Sequence, residues 1–138
     1  MTKDIWLNLP VKDVQRSKAF FIAIGFTFNE PRSMGSDMVC MLAGEKNFII
    51  MLIEENMFAG FSKNKLTDTG KSSEILISYD AENREEVDAI AKKVTAAGGT
   101  MFAQPAENQG WMYGCAFTDL DGHRWNVLHM DFSKLPKQ

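Results

Sequence analysis

The sequence predicts an α+β protein made of two βαβββ modules, and three observations predict it. Residues 42–51 (LAGEKNFIIM) return in outline as residues 117–126 (FTDLDGHRWN), each an apolar strand, a polar turn and a second apolar strand. This offset of 75 positions also sets Cys40 opposite Cys115. The order of elements upstream of each copy is the same. The 138 residues are 45% hydrophobic, which suits one compact domain with a core of ordinary size. An internal repeat fixes the plan before any single element does. Two copies of one open sheet can wrap a shared cavity, so functional residues are expected at equivalent positions of both copies. The modules are expected at about 4–54 and 73–132, joined by segment 55–72.

In the first module, residues 5–11 (IWLNLPV) carry leucines at alternate positions and read as a strand. Asp13 is placed to cap a helix over about 14–24, whose buried side would be Val14, Phe20, Phe21 and Ile24, with Gly25 ending it. Residues 26–28, 38–42 and 48–53 read as the three further strands.

The second module opens near Ser73. Residues 74–79 (EILISY) read as a strand, and Asn83 or Asp80 as the cap of the next helix. Val87, Ile90, Ala91, Val94 and Ala97 recur at helical spacing, and Gly98-Gly99 stops the helix. Residues 100–102, 112–117 and 124–130 complete the set of strands. Segment 55–72 is polar but carries Met57, Phe58, Phe61 and Leu66. It reads either as a short amphipathic helix over a cavity mouth or dimer contact, or as a docked surface loop.

The formal charge is -3 with no basic run, which argues against nucleic acid and anionic membranes as partners. No stretch of about 18 apolar residues suggests a transmembrane helix, and the N-terminus runs straight into a strand rather than a signal peptide. Cys40 and Cys115 fall inside apolar strands and read as reduced core thiols of a cytoplasmic protein.

Residues Val11-Lys12-Asp13-Val14-Gln15-Arg16-Ser17, followed by Phe20-Phe21 and Gly25-Phe26, resemble the opening of the vicinal oxygen chelate superfamily. That superfamily includes glyoxalase I, bleomycin-resistance proteins and extradiol dioxygenases. Asp119-Leu120-Asp121-Gly122-His123 resembles its closing hairpin, usually Asp-Pro-Asp-Gly, with Leu120 in place of the proline. Ala96-Ala97-Gly98-Gly99 fits the end of its second helix. The resemblance covers nearly the whole chain. It implies a cupped mixed sheet, the glyoxalase/bleomycin-resistance/dioxygenase fold, and a homodimer. It also implies metal ligands, usually His, Gln or Glu, on the first and fourth strands of each module. Those positions here are Trp6, Met51, Glu74 and Asn126. Trp6 is seven before Asp13, Glu74 six before Asp80, and Asn126 seven after Asp119, while Met51 pairs with Asn126 by the 75-residue offset.

These four make a poor metal site. Indole offers no lone pair. A thioether is soft and suits cuprous copper rather than nickel, zinc, manganese or ferrous iron. Asn126 is a neutral ligand, and only Glu74 is a good anionic one. No catalytic metal is therefore expected, and a divalent metal such as Ni, Zn, Mn or Fe is the alternative. The two histidines, His123 and His129, are about 20 Å apart along a straight strand and cannot share an ion. Each is an odd number of residues from Asn126, so a regular strand sends them to the opposite face.

A cup lined by Trp6, Asn8, Met51, Glu74, Trp111, Tyr113 and Asn126 would suit a small, partly apolar or aromatic molecule. Trp111 and Tyr113 alternate, as cavity walls or as core. The expected function is small-molecule binding in the manner of the bleomycin-resistance branch. The alternative is a lyase, isomerase or dioxygenase of the glyoxalase type, with an atypical metal site or with Glu74 as a metal-free general base. A third reading has the cup filled by the protein's own side chains, with Trp6 and Met51 as the filling.

Overall fold

The computed structural model describes residues 1–33 and 35–135, and the chain divides into two compact units, 1–68 and 69–138. The first unit runs β1 (Leu7–Val11), α1 (Val14–Ala23), β2 (Thr27–Phe28), β3 (Met38–Ala43), β4 (Phe48–Glu54) and α2 (Glu55–Ser62). The second runs β5 (Leu76–Asp80), α3 (Arg84–Ala96), β6 (Thr100–Asn108), β7 (Met112–Thr118) and β8 (Arg124–Met130). Each unit is a four-stranded mixed sheet, in the order β1-β4-β3-β2 or β5-β8-β7-β6. The first and last strand of each module pair in parallel and the other pairs are antiparallel. This is the α+β plan of two βαβββ modules that the repeat predicts.

The helices begin where the sequence provides acceptors. Asp13 accepts the Arg16 N–H at 3.1 Å, and Asn83, rather than Asp80, accepts the Glu86 N–H at 2.8 Å. They end at Gly25 and Gly98, whose φ values of 113° and 99° are open to glycine but costly for other residues.

Strand alternation then sorts the side chains. In the first unit Leu9, Leu52 and Val39 form one row across the sheet, with Ile50 and Met41 in the next. All are buried, together with Val14, Phe20, Phe21 and Ile24 of α1 and its C-cap. The rings of Phe20 and Phe21 meet edge to face at 5.1 Å between centroids, and those of Phe21 and Phe26 at 5.7 Å. In the second unit Ile77, Trp125 and Phe117 form one row and Tyr79, Val127 and Cys115 the next. Phe117 and Trp125 stack at 6.2 Å, and Val87, Ile90, Ala91 and Val94 of α3 are buried.

Three strands differ from the sequence reading, and the first is β1, which starts at Leu7 and leaves Trp6 outside it. Strand β5 starts at Leu76, which leaves Glu74 outside it. Strand β6 extends to Asn108, far past residue 102. Pro105 argues against a strand there, yet β6 is an edge strand with register shifts between Met101 and Ala106. A proline at an edge or bulge removes no needed ladder bond. The opening of segment 55–72 is the helix α2, whose first turn is capped by the Glu54 carboxylate accepting the Met57 N–H at 3.0 Å.

Candidate functional site

The two sheets treat the face turned away from α1 or α3 in opposite ways. In the first unit that face carries the row Asn8, Met51 and Cys40, with Pro10, Ile53 and Met38 beside it. Cys40, Met51 and Ile53 are buried in one cluster, and Met38, Leu42 and Ile49 pack against them together with Met57 and Phe58 of α2. Strand β4 is thus buried on both sides, which explains its unbroken run of apolar residues. The corresponding face of the second unit carries the row Ser78, Asn126 and Ala116, then the row Leu76, Arg124 and Thr118. Leu76 and Ser78 are exposed and Arg124 and Asn126 half-buried.

On this second face one buried polar atom is unsatisfied among the described residues. The Oδ1 of Asn126 is buried and accepts no hydrogen bond among the described residues. The guanidinium of Arg124 lies 4.4 Å over the Phe102 ring. The wall on the other side is Leu128, which leans over Gly114 so closely that a Cβ there would sit 2.6 Å from its Cδ2.

The expected site residues fall into separate groups. Trp6 precedes β1 and is 54% exposed. Asn8 is exposed beside the buried Met51. Glu74 is exposed two residues ahead of β5. The Trp111 ring meets that of Phe132 tilted by 38° at 5.9 Å between centroids, and its indole Nε1 is buried without a hydrogen-bond partner among the described residues. Tyr113 does not join the Asn126 face, which corrects its place in the expected cavity lining. It pairs with His129, shares a strand face with Cys115 and donates from its hydroxyl to Asp88 Oδ1 on α3 at 2.6 Å. Arg84 lies 4.9 Å over its ring and is ion-paired to Glu107. Alternation along β7 places Trp111 and Tyr113 in phase, but only the register with β8 decides which face that is. Sequence reasoning missed Arg124 and Phe102. Arg124 lies two residues from Asn126 and could have been placed on its face by parity alone.

The donor set does not fit a divalent metal. Trp6 has no lone pair, Met51 is a soft donor packed in an apolar cluster, and Glu74 stands in solvent. Among the described residues no group of three His, Cys, Asp or Glu side chains is close enough to hold an ion. His129 Nδ1 contacts the Ala81 carbonyl oxygen at 3.1 Å, as its parity requires, and His123 belongs to the hairpin turn. Both cysteines are free and buried. Burial pushes the Cys115 thiol up to about 11 and raises that of Cys40, so neither supplies a thiolate at neutral pH.

The aspartate-rich turn is structural. Asp119 Oδ1 accepts the N–H groups of Asp121 and His123 at 2.9 and 3.0 Å, and Oδ2 accepts the indole N–H of Trp125 at 3.0 Å. Burial raises the Asp119 proton affinity, while His123 and these donors oppose the rise. Gly122 has φ 81°, and a Cβ there would lie 2.3 Å from Thr69 Oγ1, which itself donates to the Asp121 carbonyl oxygen. The motif closes a hairpin and pins it to Thr69. It holds no ion.

These modules and their two unlike faces define a protein of the paired βαβββ class. The fold is that of the glyoxalase/bleomycin-resistance/dioxygenase proteins. Residues 3–44 match the family model of the bleomycin resistance protein-like N-terminal region. Hypothetical protein SA1046 from S. aureus is 36% identical, with 94% of each chain covered and a TM-score of 0.83. A glyoxalase/bleomycin resistance protein/dioxygenase family enzyme from Burkholderia phytofirmans PsJN is 16% identical over 91% of this chain and 96% of that one, with a TM-score of 0.77. A mutant of the fosfomycin resistance protein FosX from Listeria monocytogenes, complexed with Mn(II) and 1S,2S-dihydroxypropylphosphonic acid, is 22% identical. It covers 92% of this chain and 90% of its own, with a TM-score of 0.66. No curated protein sequence matches the chain significantly. Among the described residues no helix is long and apolar enough to cross a membrane.

Proposed function

We propose that the chain binds a small, partly apolar or aromatic molecule on the open face of its second sheet, without a catalytic metal. The observation that carries this reading is the Asn126 Oδ1, a buried acceptor with no partner among the described residues. Buried polar atoms are nearly always satisfied, and one that is not invites a donor from water or a ligand. It lies beside the small, buried Ala116 and the exposed Ser78, with the exposed Leu76 in the next row, a surface of both polar and apolar character. The equivalent face of the first sheet is filled by Met51, Cys40, Ile53 and α2, which limits the self-filled reading to that module. Glu74 lies outside β5 and off the Asn126 row, which weighs against metal-free proton transfer by Glu74 on this face.

The test is a thermal-shift screen of a small-molecule library in the presence of EDTA. The reading requires ligands that raise the melting temperature with chelator present and lose that effect in Asn126→Leu. Stabilisation seen only after a divalent metal is added would overturn it. The homodimer that the resemblance implies, and the cytoplasmic setting read from the two core cysteines, belong to the same proposal, and sedimentation equilibrium of the untagged chain distinguishes the dimer from a monomer.

A further inference from the structure

Arg124 is a half-buried cation without a counter-ion. Its guanidinium rests over Phe102, and among the described residues no carboxylate lies within 4.0 Å of it. Its neighbours across the sheet are Leu76 on one side and Thr118 on the other, neither of them acidic. Glu74, two residues ahead of Leu76, is exposed and forms no ion pair with it. A guanidinium taken partly out of water is costly unless paired. Its planar fork of donors matches a carboxylate. Asn126 is the next residue on the same face of β8, roughly 7 Å further along the strand, and its orphaned Oδ1 needs a donor. An anion acceptor and a hydrogen-bond acceptor therefore stand side by side, with an aromatic ring flanking the first.

Resting on the proposed small-molecule reading, we infer that the ligand is a small monocarboxylate. Its carboxylate pairs with Arg124, and a hydroxyl or amide N–H close to it donates to Asn126 Oδ1. The monoanion is favoured over a phosphate or phosphonate dianion because Arg124 is the only Lys or Arg on the four strands of this sheet. Phe102 adds an apolar edge that rewards an aromatic or branched substituent.

The test uses matched pairs of probes on the full chain: lactate with lactamide, benzoate with benzamide, and mandelate with mandelamide. Binding is read by NMR from the Asn126 side-chain amide and the Arg124 Nε–H, with circular dichroism checking that each variant is folded. The inference predicts that mandelate and lactate bind more tightly than benzoate, and that each acid binds more tightly than its amide by about tenfold or more. Arg124→Met should abolish that preference, Arg124→Lys should keep part of it, and Asn126→Leu should remove the advantage of mandelate over benzoate. Amides that bind as well as the acids, or an acid preference untouched in folded Arg124→Met, would overturn the inference and leave the small-molecule reading standing. Silence of both series overturns it too, and the thermal-shift library then decides the broader reading on its own.

Discussion

Met51 and Asn126 occupy equivalent positions, 75 residues apart and each in the middle of a three-residue row across its sheet. Met51 sits between Asn8 and Cys40, is 9% exposed and belongs to an apolar cluster sealed by α2. Asn126 sits between Ser78 and Ala116 with a buried, unpaired carbonyl. A duplicated module has thus given one copy a structural face and left the other a polar one.

This difference predicts opposite responses to substitution. Met51→Ala should cost about 2–4 kcal/mol by emptying part of a packed cluster. Asn126→Leu should be neutral or stabilising by up to about 1 kcal/mol, because it removes an unsatisfied polar atom. Urea unfolding of the two variants beside the parent chain measures both.

Asp119 is predicted to matter more for folding than for binding. Asp119→Ala strands the indole N–H of Trp125, which is 1% exposed, and frees two turn N–H groups. The expected cost is about 2–4 kcal/mol. Asp119→Asn keeps an acceptor and should cost less. Unfolding midpoints of the pair check the order.

The cysteines should be silent in the native protein. With Cys115 pushed up to about 11 and both thiols buried, reaction with a disulfide reagent at pH 8 should be slow for the folded chain. Both thiols should react at once in guanidinium. Fast titration of either native thiol would contradict the burial described for it.

Helix α2 should be a stabilising element of the first module. Phe58 packs on the Cys40–Met51–Ile53 cluster, so Phe58→Ala is expected to destabilise by about 2–4 kcal/mol. Phe61, 65% exposed on the same helix, should tolerate Phe61→Ala with a change of about 0.5 kcal/mol or less. Thermal melts of the two variants separate the cases.

Most of the fold was legible because it rests on local signals. Alternation placed Leu9, Val39 and Leu52, helical spacing placed Val87, Ile90, Ala91 and Val94, and Asp13 and Asn83 marked the helix starts. The full length of β6 is not legible, because a proline such as Pro105 is tolerated in a strand only at a sheet edge, and edge position is set by the register with β7. The site was less legible for a different reason. Which of two strand faces a helix covers is a property of the register between distant segments, so Tyr113 could be assigned to an aromatic pair but not to a side of the sheet. Arg124 was hidden because a lone cation carries no pattern in sequence. Its lack of a partner is visible only once the neighbours Leu76, Thr118 and Phe102 are in place.

The central claim, binding without a catalytic metal, is tested most directly by metal content. Protein purified without chelator or affinity tag would be analysed for bound metal, then titrated calorimetrically with nickel, zinc, manganese and ferrous iron. The account predicts well below one metal per chain and no saturable binding of any of the four. Near-stoichiometric metal, or tight binding of one of these ions, would contradict it and place the chain among the metal-dependent enzymes of its superfamily.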